Sequence, residues 1–153
     1  MNSQDWIIQE SSIFAVGAIS SGCHMFMGDM MNLLYPFLLN LIQTTENAPL
    51  FSIASWTIHQ FSDWIFNNLS EQQLDELMNI LLQKMYDGNR KIQNASIGCI
   101  SVLIENSEDK LICYFDSIIR TICQCFNFYC VFHYFFFYSL LGKESTFFIM
   151  LHR

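Results

Sequence analysis

Apolar residues recur along the first 126 positions at the three- and four-residue spacing of helices that bury one face. Nowhere in that stretch do they alternate with the period of two expected of a half-buried strand. Six helical segments follow from the pattern. The first covers about residues 4–23 behind Ser3, a good N-cap, and the second about residues 29–43. Pro36 lies inside the second, which predicts a late start or a kink there. The third begins near Ala48, with Pro49 in its first turn, and runs to about Asn67. The fourth has the clearest start, because Ser70-Glu71-Gln72-Gln73 is a capping box ahead of Leu74, Leu77, Met78, Leu81, Leu82 and Met85. Asp87-Gly88-Asn89 is a turn, a fifth helix covers about residues 90–105, and a sixth starts behind Ser107 and runs through Ile122.

Laying alternate helices over one another exposes a repeat. Ile8-x-x-Ser11-x-Ile13 matches Phe51-x-x-Ala54-x-Trp56 and then Ile92-x-x-Ala95-x-Ile97, at offsets of 43 and 41 residues. Those offsets fall in the period of about 40–47 residues of HEAT and armadillo arrays, and two helices per repeat favour HEAT. A single hairpin cannot bury its apolar face, so neighbours must stack. The expected fold is therefore all-α, a right-handed α-solenoid of about two and a half to three HEAT hairpins. Neither end shows an obvious polar cap, which predicts a piece of something longer.

At 100° per residue the third helix carries two arcs. Leu50, Thr57, Ile58, Phe61 and Ile65 fall within about 60° of Ala54, which marks the packed stripe. Ile53, Trp56, Gln60 and Trp64 lie about 80–160° away, and two tryptophans exceed what a hairpin core requires. In such solenoids the second helix of each hairpin lines the concave surface, where tryptophan can anchor an extended peptide. Packing against the adjoining repeat is the competing reading for Trp56 and Trp64. Glu105, near the end of the fifth helix, would lie along the same trough and could pair with a basic side chain, or be only a solvated acid.

Composition and charge narrow the partner. Apolar residues make up 52% of the 153-residue chain and charged residues 14%, below the share of about 25% in ordinary soluble domains. The net charge is −7, and Asp5, Glu10, Asp29, Glu46, Asp63, Glu71, Asp75 and Glu76 all precede Lys84, the first Lys or Arg. An acidic surface disfavours nucleic acid and favours basic partners. The six cysteines show no Cys-x-x-Cys and no disulfide framework, so no metal or cofactor is expected and free thiols are. The opening residues do not read as a signal peptide. No Gly-rich phosphate loop, His-Glu-x-x-His or Gly-x-Ser-x-Gly motif occurs. Cys23 and His24 are adjacent, so on a helix their side chains diverge by about 100° and cannot act together. A binding scaffold is expected, with no catalytic residues.

Three stretches carry a family resemblance: Trp6 to Cys23, Ser52 to Trp64, and Leu81 to Ala95, the last spanning a helix end, a turn and the next helix start. They resemble the central repeats of the transportins, β-karyopherins of the importin-β superfamily, and the resemblance spans about residues 5–126. It implies a fragment of a nuclear import receptor found in cytoplasm and nucleus. Such a receptor binds cargo through basic, proline-tyrosine-type localisation segments, and Ran GTPase releases the cargo. The Ran-binding repeats, the acidic release loop and later cargo repeats of that family have no counterpart here. Ile53 and Trp56 match the family's cargo-contact positions, with Glu105 along the trough. Phe14 and Gly98 match in position but differ in residue type, and Gln60 stands where the family usually has arginine.

Beyond Phe126 the resemblance stops, which divides the chain into a repeat segment, 1–126, and a tail, 127–153. Residues 121–142 contain no Asp, Glu, Lys or Arg, and nine of the thirteen residues from Phe126 to Tyr138 are Phe or Tyr. Phe, Tyr and Ile are what A/T-rich noncoding sequence encodes, so the leading expectation is a translated intron or frameshift. The alternative is a membrane-anchored or non-functional truncated HEAT protein. The run is long enough to span a bilayer, yet its mid-span aromatics, Asn127 and His133 are unlike membrane helices.

Overall fold

The computed structural model describes residues 5–23, 28–107 and 109–126, and among these every regular element is helical. The elements are α1 (Asp5–Ala18), α2 (Ser20–Cys23), α3 (Gly28–Thr44), α4 (Ala48–Gln60), α5 (Ser62–Asn68), α6 (Glu71–Lys84), α7 (Arg90–Asn106), a 3-10 turn (Ile112–Tyr114) and α8 (Phe115–Phe126). Two units divide after Ser107.

The helix starts are set locally. The Asn47 side chain accepts from the Leu50 N–H at 3.1 Å, with Pro49 in the first turn of α4, where its missing donor costs nothing. Ser70 and Gln73 form the reciprocal capping box of α6. Asn89 caps α7 through the Lys91 N–H at 2.9 Å.

Within the first unit α4 packs between α1 and α7, while α3 packs on α4 and on α6. One layer is therefore α1–α4–α7 and the other α3–α6, with α3–α4 and α6–α7 as hairpins. This is the HEAT arrangement expected from the 43- and 41-residue offsets. The core holds Phe51, Ala54, Ile58 and Ile65 of α4 and α5, none of them measurably exposed, together with Leu38, Ile42, Leu77, Met78, Leu81 and Leu103. The whole predicted stripe beside Ala54 is buried. A cross-layer hydrogen bond from Ser96 Oγ to the Leu81 carbonyl ties α7 to α6, and Thr57 Oγ1 donates to the Ile13 carbonyl at 3.2 Å, tying α4 to α1.

Three expectations are corrected. The second helix does not start late: α3 begins at Gly28 and runs on through Pro36, exposed at its ninth position. The long third helix breaks at Phe61, whose φ of −105° and ψ of 27° end α4 before α5 resumes. No Gly or Pro causes this. Phe61 is buried and the next residue, Ser62, accepts a hydrogen bond from Asn106 Nδ2 at 2.9 Å, so tertiary packing on α7 overrides helix continuity. The sixth helix, expected behind Ser107, begins as α8 only at Phe115, after the 3-10 turn.

In the second unit Ile118 and Ile122 form the buried stripe of α8, and Arg120 pairs with Asp116 at 2.6 Å one turn away. Both partners are about three-quarters exposed, so this pair contributes little. Among the described residues no helix is long and apolar enough to cross a membrane. The tail 127–153, and with it most of the charge-free run 121–142, lies outside the described residues.

Candidate functional site

Between α4 and α7 runs an open groove of about 420 Å³, lined by Ser52, Trp56 and His59 of α4 and by Lys91, Asn94, Ala95, Gly98 and Cys99 of α7. The spacing explains the convergence. Positions 52, 56 and 59 recur at helical intervals on one helix, and 91, 95 and 98 do so on the other. Beside Gly98 the groove is open: a Cβ there would meet nothing within 4 Å.

Trp56 forms the wall toward α1. Its ring stacks on Phe14 with centroids 5.4 Å apart and an interplanar angle of 25°, and the His59 ring stands edge-on to it at 6.4 Å. Phe14 is 53% exposed and Trp56 half-buried, so the pair forms an aromatic ledge with one side open to solvent. Gly17 makes the ledge sterically feasible. A Cβ on Gly17 would overlap Trp56 Cζ3 and stand 2.8 Å from Thr57 Oγ1, so only glycine lets α1 approach α4 this closely.

The predicted site residues thus fall into three places. Phe14, Trp56 and Gly98 come together at the groove. Ile53, one turn before Trp56, is half-buried on α4, and Gln60, one turn after it, is half-buried at the helix end. Glu105 is exposed in the last turn of α7. The Asn106–Ser62 hydrogen bond draws that end of α7 toward the start of α5, two residues past Gln60. Trp64 stands apart. The break at Phe61 carries it off the arc of α4, and its ring meets Tyr35 of α3 at 5.9 Å, tilted by 45°. Tyr35 itself donates weakly to the Gln73 carbonyl at 3.4 Å, and burial raises its phenol pKa, with Glu76 adding to the rise.

Sequence reasoning did not single out Ser52, His59, Lys91, Asn94 or Cys99. The signal was present as a second helical-period stripe of polar and small residues on both helices. Cys99 lies beneath the groove at 1% exposure, and burial pushes its thiol up to about 12, so it is an inert thiol at neutral pH. Among the described residues no three His, Cys, Asp or Glu side chains gather to hold a metal ion.

His59 gives the groove a pH dependence. Its Nδ1 is buried without a hydrogen-bond partner, and burial lowers the imidazole pKa below its ordinary 6.5. The folded chain therefore binds this proton less readily than the unfolded chain. The corresponding stability is fully present above about pH 6.5 and declines as the pH falls toward the lowered value. Denaturation midpoints measured between neutral and mildly acid pH should fall on acidification, and His59→Gln should flatten that part of the slope.

The chain is similar to two proteins at just over 30% identity. It is 31% identical over 134 residues to the importin subunit beta-2 of Schizosaccharomyces pombe, covering 84% of this chain and 14% of that protein. It is 32% identical over 131 residues to the transportin of Dictyostelium discoideum, with the same two coverages. Human transportin-1 is 29% identical over 125 residues, covering 82% of this chain. The chain spans 14% of the length of each of these relatives. No protein-family profile matches the chain. Stacked helical hairpins at the expected offsets and relatives that match more than four-fifths of the chain lead to one assignment: the chain belongs to the transportin, or importin β-2, family as a segment of its HEAT-repeat solenoid.

Proposed function

We propose that this segment is part of the cargo-binding surface of a nuclear import receptor. It would grip an extended, basic localisation segment of the proline-tyrosine type across α4 and α7. The observation that carries this reading is the Phe14–Trp56 ledge beside the open groove lined by Gly98. A stacked, half-solvated aromatic pair offers a proline or tyrosine ring a large flat contact with few rotamers to freeze.

Ile53 would extend the apolar contact by one turn, while Gln60 would offer an amide in place of the family's arginine. Glu105 would meet a basic cargo side chain at the end of the trough, while Trp64, turned toward Tyr35 of α3, would lie outside it. The groove wall contributes Lys91 and no acid, so the basic part of the cargo would lie toward Glu105 and away from Lys91. The charge of the chain suits such cargo, because seven of the eight acids before Lys84 are exposed. Release by Ran GTPase, and shuttling between cytoplasm and nucleus, would belong to the longer receptor of which this segment is a part.

The test is a titration of a proline-tyrosine localisation peptide against the 153-residue chain, followed by tryptophan fluorescence. An anchoring tryptophan is worth about 2 kcal/mol or more, so Trp56→Ala should weaken binding at least about thirtyfold. Glu105→Gln should weaken it less and make it less sensitive to salt. Unchanged affinity in Trp56→Ala would remove the proposed site.

A further inference from the structure

The polar side chains of the α4–α7 groove share a property that an aromatic ledge does not require: all of them can donate a hydrogen bond. Ser52 and His59 on α4 offer a hydroxyl and an imidazole, and Lys91 and Asn94 on α7 offer an ammonium and an amide. The lining includes no carboxylate. Within the described residues no hydrogen bond or ion pair engages any of these four side chains. His59 is neutral at pH 7, because burial lowers its pKa. Its Nδ1 is buried where no acceptor stands, so the neutral ring carries its proton on Nε2 and Nε2–H is the donor it can offer. A groove of donors takes a row of acceptors.

The spacing of the donors selects the acceptors. Ser52 and His59 stand seven residues apart on α4, which places them within about 20° of one face and about 10.5 Å apart along the axis. In a fully extended strand, carbonyls on one side recur every second residue, at about 6.6 and then 13 Å. Neither distance fits. In a polyproline II helix they recur every third residue, at about 9.3 Å, and none is engaged internally. That repeat matches the α4 pair within side-chain reach. The facing wall on α7 is low, with Ala95 and Gly98 beside Asn94, and a Cβ on Gly98 would meet nothing within 4 Å. A ligand main chain can therefore come close to α7. Proline rings, which favour this conformation, suit the flat Phe14–Trp56 ledge that borders the groove.

We infer that the groove holds its peptide as a polyproline II helix, gripped by hydrogen bonds to main-chain carbonyls from Ser52, His59 and Asn94. This rests on the cargo reading of the groove and adds to it the conformation of the bound chain and three residues that read its backbone. Ser52 and His59 meet carbonyls three residues apart, and Asn94 donates from the opposite wall. Lys91 adds a fourth donor at the rim.

The probe is a proline-tyrosine localisation peptide titrated into the 153-residue chain by calorimetry. Ser52→Ala, His59→Leu and Asn94→Ala should each weaken binding about threefold to tenfold, the effect of one hydrogen bond. His59→Gln keeps a donor and should keep most of the affinity. Asn94→Asp separates carbonyls from basic side chains as the ligand groups at this wall. Carbonyls lose their donor and meet a carboxylate, so affinity falls, whereas a basic side chain would be held more tightly. A series of peptides with single amides replaced by esters, whose carbonyls accept more weakly, should lose affinity at positions three residues apart. Those losses should shrink against His59→Leu. Losses at every second position would make the ligand a strand and overturn the inference. Tighter binding by Asn94→Asp would overturn it as well, as would an ester series without losses together with uptake of a polyglutamate peptide, which would give the donors to carboxylates. Binding that depends on Trp56 but ignores Ser52, His59 and Asn94 sinks this inference alone, and a peptide that does not bind the unaltered chain sinks the cargo reading with it.

Discussion

Phe51→Ala will destabilise the chain by about 3–5 kcal/mol, while the same truncation at its repeat equivalent Ile8 will change stability by no more than about 0.5 kcal/mol. Ile92→Ala, the third member of the set, will cost about 2–5 kcal/mol. The three positions sit on the same face of α1, α4 and α7, one repeat apart, so intrinsic helix preference cannot separate them by this much. What separates them is contact. Phe51 has no exposed surface, lies on α4, the helix packed against α1, α3 and α7, and carries the Lys84 ammonium 5.8 Å from its ring centroid. Removing its ring leaves a cavity that the packed surroundings cannot fully close. Ile8 is two-thirds exposed and leaves none. With a folding stability of about 5–15 kcal/mol for a typical domain, the Phe51 variant is brought close to unfolding. Guanidinium denaturation of the three variants measures the order directly. Equal costs at Ile8 and Phe51 would mean that the face over α1 is already covered.

This series also shows which features of the fold are visible in sequence. The helices are legible because their signals are local: Ser70 with Gln73, Asn47, Asn89 and Pro49 act within one turn of the residues they cap. The repeat is legible because stacked helices must place their core residues at matching positions, so Phe51 and Ile92 share a register. The break at Phe61 is not legible. It depends on Asn106 reaching Ser62 across 44 residues, and nothing near Phe61 in the chain records it. That single break explains why Trp64, which a continuous helix would carry on the arc of Trp56, instead meets Tyr35.

The candidate site divides along the same line. Trp56 and Ile53 stand out in sequence because an aromatic-rich second arc exceeds the needs of a hairpin. Phe14 could be placed through the resemblance alone, and its stacking on Trp56 required the stack of α1 on α4. The groove lining of Ser52, His59, Lys91 and Asn94 is ordinary helix surface until the two helices are set side by side. Gly17 gave no signal, since a glycine inside a helix is usually only a weak point.

Gly17→Ala will therefore have an effect opposite to its helix propensity. In a solvent-facing helix the change would stabilise by about 0.8–1.0 kcal/mol. At this position the new methyl overlaps the Trp56 ring and crowds Thr57 Oγ1, which is fully buried and donates to the Ile13 carbonyl. Overpacking of that kind costs about 1–3 kcal/mol, and the tilt it forces on Trp56 opens the stack with Phe14. Gly98→Ala is the internal comparison, because it makes the same chemical change in α7 where nothing stands within 4 Å. Its expected effect is neutral to stabilising by up to about 1 kcal/mol. The two variants should also part in tryptophan emission, which shifts when the Phe14–Trp56 contact opens and holds when it does not. If both alanines prove stabilising, α1 does not approach α4 closely enough to build the ledge. If Gly17→Ala alone destabilises and shifts the emission, the aromatic ledge is set by a residue that never touches a ligand, and cargo affinity should fall with it.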